Sequence, residues 1–145
     1  MLDVLRSLFA APAVGSAGVA PQLAAAALLV EAARADARYR AEEAAAIDRF
    51  LAHGFGLDAA GARAAREAGE RAQRDAPDLV RFTRVLKTGL DHPARMALMT
   101  ALWRVVLSDG ERDPHEDALL RKLAPLLALT DHDSAEARRR AADPC

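Results

Sequence analysis

Cysteine is all but missing from this chain. Of 145 residues only the last, Cys145, carries a thiol, so neither an internal disulfide nor a cysteine zinc site is available, and the usage is that of a reducing, cytoplasmic compartment. Aromatic residues make up 4% and there is a single isoleucine, Ile47, a shortage of β-formers that argues against sheets. Charge of one sign is lacking too. With 20 basic and 21 acidic residues the formal net charge is -1, and no global field draws the molecule to nucleic acid. No apolar run reaches the roughly 18 residues of a membrane-spanning helix. Asp3 and Arg6 interrupt the N-terminal stretch that would have to serve as a secretory signal.

Alanine is present in excess, 36 residues of it, within a composition that is 52% hydrophobic. Such a chain favours close-packed helices, and its length suits one domain with a real core. The expectation is an all-α fold, a compact bundle of about seven helices over residues 21–142. A short amphipathic segment and flexible linker are expected over residues 1–20, where Leu2, Leu5, Leu8 and Phe9 share helical spacing.

Turn residues divide the domain. The first helix is expected over 21–36, opened by Pro21 and carrying Leu23, Ala26, Ala27, Val30 and Ala33 along one face. The second runs over 41–53 and stops at Gly54 and Gly56. A third, 59–74, capped by Asp58, is nearly bare of large apolar side chains and reads as the most exposed and least stable element. A fourth runs from Asp78 to about Gly89. The fifth starts at Asp91-His92-Pro93 and, with Met96, Met99, Leu102, Trp103 and Val106, reads as the central helix. The sixth covers about 114–128, kinked or ended by Pro125, and a polar seventh covers about 134–142.

Two segments repeat at a distance of 73 positions. In each, an apolar helical run ends in an aspartate and a glutamate follows seven residues later at the head of another apolar run: Leu28 to Asp36, then Glu43; Leu102 to Asp109, then Glu116. They read as related helix-loop-helix units. Asp36 and Asp109 continue inward stripes at helix C-termini, where the macrodipole disfavours an anion by about 0.3–1 kcal/mol. Glu43 and Glu116 fall in a first turn, where it favours one. Asp113-Pro114-His115-Glu116 also has the pattern of a capping box, whereas Arg40 is a poor N-cap and leaves Glu43 without that explanation.

If the two units pack as a pseudo-symmetric pair, the four carboxylates converge and either their pKa values rise or a cation joins them. Hard oxygen donors favour Ca²⁺, with Mg²⁺ or Mn²⁺ next. The loop from Asp109 to Glu116 lacks the ligand spacing and mid-loop glycine of an EF-hand. From the residues alone, a solvated acidic surface or a salt-bridge network with Arg34, Arg38, Arg104 and Arg112 competes with the metal reading.

These segments, together with Ala-Leu-Leu-Arg-Lys-Leu-Ala-Pro-Leu-Leu-Ala-Leu after Glu116 and an acidic turn, resemble the tellurite-resistance TerB family and its TerB-like relatives over residues 21–142. The resemblance implies a compact helical domain with an acidic, divalent-metal-binding cluster at Asp36, Glu43, Asp109 and Glu116. It also implies a non-enzymatic bacterial stress-response module, in some relatives acting beside membrane proteins or joined to chaperone domains. The first copy departs from the family at Asp36-Ala37, where Asp-Gly is usual.

Enzyme motifs are missing. There is no Glu-x-x-His pair for a di-iron bundle, no Gly-x-Ser-x-Gly, no phosphate-binding glycine loop and no His-Glu-x-x-His. His53, His92, His115 and His132 fall at helix boundaries, with His115 near the candidate metal residues. Two classes remain: a metal-binding stress-response domain, and a metal-free helical adaptor whose partner is an unidentified protein, membrane-associated or a chaperone, bound through an apolar groove or the acidic face.

Overall fold

A computed structural model describes residues 20–35, 38–75, 77–108 and 114–142. Among them the chain forms seven α-helices: α1 (Pro21–Ala33), α2 (Ala41–Phe55), α3 (Ala59–Asp75), α4 (Leu79–Gly89), α5 (His92–Leu107), α6 (Pro114–Leu126) and α7 (Asp131–Ala142). The all-α expectation holds. The amphipathic segment expected over residues 1–20 lies, apart from Ala20, outside the described residues.

Local chemistry sets most boundaries. Pro21 opens α1. Asp58, Asp78 and Asp91 each accept a hydrogen bond from the backbone N–H three residues on, at 2.7, 3.1 and 2.9 Å, and so start α3, α4 and α5. Gly56, at φ 65°, closes α2 in the left-handed region that glycine tolerates. α6 ends one residue beyond Pro125, where Ala128 N–H donates to Pro125 O and Leu129 N–H to Ala124 O in a Schellman motif. Ala128 takes the left-handed position, φ 58°, at a cost of about 1 kcal/mol relative to glycine.

Two boundaries differ from expectation by three residues. α1 stops at Ala33, three residues early. α7 begins at Asp131 rather than 134, because Thr130 and Asp133 exchange bonds of 3.0 Å: the Thr130 hydroxyl accepts from Asp133 N–H and the Asp133 carboxylate from Thr130 N–H. That is a capping box with aspartate in the usual glutamate place.

α1 is buried on every side, not along one stripe: Ala24 through Val30 are all at 0% exposure. A helix apolar all round is a core helix, and α1 packs against α2, α3, α4, α5 and α6. The central position expected of α5 is therefore shared. α5 buries Met96, Met99, Leu102, Trp103 and Val106, and Trp103 Nε1 donates to Ser134 Oγ at 3.2 Å, tying α5 to α7.

α3 has the exposed outer face expected of it, but its inner face is no loose surface. Ala62, Ala65 and Gly69, at helical spacing, are buried. A Cβ added at Gly69 would stand 2.5 Å from Ala26 Cβ and 2.7 Å from the Ala26 carbonyl carbon. Backbone touches backbone there, and small residues on both helices make that approach possible.

Candidate functional site

α2 and α6 begin 73 positions apart, at Ala41 and Pro114. Glu43 and Glu116 are therefore each the third residue of a helix. Each also heads the inward row of its helix: Glu43 is followed at four-residue steps by buried Ile47, Leu51 and Phe55, and Glu116 by buried Leu120 and Ala124. Exposure falls to 1% for Glu43 and 2% for Glu116. A capping glutamate ordinarily keeps its carboxylate in water. Burying one costs several kcal/mol unless hydrogen bonds, a cation or a raised pKa offset it (about 2–7 kcal/mol for a polar group, more for a charge). Here the same burial occurs twice, in matching positions.

Part of the offset for Glu43 is visible. Its Oε1 accepts from Arg40 N–H at 2.8 Å, half of a capping box. The expectation that nothing in the cap explains Glu43 is thus corrected: the glutamate needs only the Arg40 backbone, so arginine's poor capping side chain is irrelevant.

Asp36 and Asp109, the other two candidate ligands, lie outside the described residues, as do Ala37, Arg112 and Asp113. Among the described residues no group of three or more His, Cys, Asp or Glu side chains is placed to hold a metal ion. The two glutamates are carboxylate oxygen donors, the type a hard divalent cation selects. His115, second in α6, is exposed.

A polar network fastens the loop ahead of Glu43, and no sequence motif announced it. Tyr39 donates its hydroxyl to Glu70 Oε2 at 2.6 Å, and Arg66 binds the same oxygen at 2.7 Å and Asp48 Oδ1 at 2.6 Å. Arg34 donates to Gln73, whose Nε2 donates to Glu31 at 2.8 Å. The Arg34 guanidinium lies 5.3 Å from the Tyr39 ring centre. Arg34 is thus engaged with α3 and Tyr39. The only hint in sequence is the spacing of Arg66, Glu70 and Gln73 along one side of α3.

Burial, and then the bond to Glu70, hold the Tyr39 hydroxyl well above the usual tyrosine range. The fold favours the neutral phenol, so its contribution to stability is complete below about pH 10 and is lost as the pH rises beyond that. Tyr39 is the chain's one tyrosine, so ultraviolet titration reads it alone. Phenolate is expected only as the fold opens in alkali; titration of the folded protein in the ordinary tyrosine range would contradict this.

Against known proteins, the family described as tellurite resistance protein TerB matches residues 22–139. No curated protein and no solved structure shows a significant match to the chain.

Proposed function

Because this chain belongs to the TerB family, whose domains are non-catalytic and stress-related, we propose that it is a divalent-cation-binding module of a bacterial stress response such as tellurite resistance. In this reading the chain is two related helix-loop-helix units, α1–α2 and α5–α6. Asp36 and Glu43 from one, with Asp109 and Glu116 from the other, hold the ion.

The observation that carries the reading is the matched burial of Glu43 and Glu116 at the third position of helices that begin 73 residues apart. Two carboxylates at such positions suit a cation. An all-oxygen donor set favours Ca²⁺, with Mg²⁺ or Mn²⁺ next. The bound ion supplies positive charge to the ends of the two loops; the protein's part is to present the carboxylates at fixed helix starts. A cytoplasmic location fits the near-absence of cysteine. Among the described residues no helix is long and apolar enough to cross a membrane.

Amide NMR tests the location of the site. Adding Ca²⁺ to chelator-stripped protein is expected to move the signals of residues 38–43 and 114–117 and the loops before them, leaving the middle of α4 unmoved. Shifts spread evenly over the surface, or none, would leave the carboxylates as caps and favour the metal-free adaptor.

A further inference from the structure

α2 and α5 present a second feature on a face away from the buried glutamate row. Ala46, Phe50, His53 and Gly54 recur along one side of α2, and Ala97, Thr100, Ala101 and Arg104 along one side of α5. Between them lies a groove of about 610 Å³, which Arg140 of α7 also lines.

Much of its lining is small and apolar: Ala46, Gly54, Ala97 and Ala101. The Thr100 hydroxyl is already engaged, donating to Met96 O at 2.9 Å. Phe50, half-buried, forms an aromatic wall fixed edge-on against Phe55 with ring centres 6.4 Å apart.

The rim is basic: Arg49, His53, Arg104 and Arg140, with no aspartate or glutamate among the described residues that line the groove. Arg49 and Arg104 are exposed and have no carboxylate partner among the described residues. Arg140 reaches Glu136 at 3.4 Å. In a chain of net charge -1 this is a local concentration of positive charge around an apolar trough.

We propose that this groove docks an acidic amphipathic helix from a protein partner. Apolar side chains of that helix seat on Phe50 and the alanine lining, and its carboxylates meet Arg49 and Arg104, the helix-in-groove mode of recognition. A trough walled by two helices matches a helix better than a bilayer surface, and the overall negative charge works against a long polyanion. The inference is independent of the metal reading, because Glu43, Ile47, Leu51 and Phe55 face the core from a different side of α2.

The test is fluorescence anisotropy with a labelled synthetic helix bearing leucine on one face and glutamate on the other. A glutamine-for-glutamate version and anionic phospholipid vesicles serve as parallel probes. The acidic helix is expected to bind in a salt-sensitive way, with the glutamine version weaker. An Arg49→Glu, Arg104→Glu variant is expected to lose about tenfold or more in affinity. Ala97→Phe, an exposed position, fills the trough while keeping every charge and is expected to lose binding as well. Circular dichroism checks that both variants are folded. A Glu43→Gln, Glu116→Gln variant is expected to bind the helix as the wild type does. Binding unaffected by Ala97→Phe, no binding of the acidic helix, or binding of vesicles alone would overturn the proposal.

Discussion

Gly69→Val is expected to lower the stability of the domain by more than about 3 kcal/mol, the upper end of ordinary overpacking. Ordinary overpacking pushes one side chain against others that can move. At Gly69 the added atoms meet Ala26 Cβ at 2.5 Å and the backbone of Ala26 and Ala27 at 2.7 and 2.9 Å, so α1 and α3 must separate. α1 is buried against five helices, and its displacement disturbs the core as a whole.

Gly69→Ala is the sharper test, because two effects oppose each other. Helix propensity favours alanine over glycine by about 1 kcal/mol, which would win if α3 were the loose element its composition suggests. The contact distances make sterics the winner, so urea denaturation is expected to show Gly69→Ala less stable than wild type. Glu67→Ala, on the exposed side of the same helix, is expected to stay within about 0.5 kcal/mol. A more stable Gly69→Ala protein would show that the α1–α3 contact yields easily.

The second large effect is on metal. With free Ca²⁺ at about a hundred times its Kd, stabilisation of about 2.7 kcal/mol is expected from mass action. That corresponds to a rise in Tm of about 5–11 °C, at about 2–4 °C per kcal/mol for a domain of this length. The Glu43→Gln, Glu116→Gln variant is expected to show no such rise. Glutamine keeps the length of the side chain and an oxygen able to accept from Arg40 N–H, so the variant separates the charge from the cap. Its melt without metal is expected to remain cooperative. A Ca²⁺-dependent rise of the same size in the variant would place the ion elsewhere.

What the sequence made legible was local. Pro21, Asp58, Asp78 and Asp91 mark helix starts because a cap is read from a few adjacent residues. The same reading missed Thr130, since its box closes with Asp133 in place of glutamate. Alanine defeated the search for faces: it is equally at home inside and outside, so a helix buried all round such as α1 looked one-sided, and the close approach at Gly69 looked like weakness.

Glu43 and Glu116 were visible as first-turn acids. Their burial is a matter of register, present in the four-residue steps to Ile47 and Leu51 and to Leu120 and Ala124. The Tyr39–Glu70–Arg66–Asp48 network joins a loop, α2 and α3, and such partners are brought together only by the packing of α3 on α1 and α2.

Divalent-cation binding by glutamates buried at matched helix starts stands or falls by calorimetric titration of Ca²⁺, Mg²⁺ and Mn²⁺ into chelator-stripped protein, with the Glu43→Gln, Glu116→Gln and Asp36→Asn, Asp109→Asn variants alongside. Saturable heat for at least one ion, strongest for Ca²⁺ and abolished in both variants, is the expected result. Absence of heat and of any shift in Tm, or equal heats in wild type and variants, would contradict it.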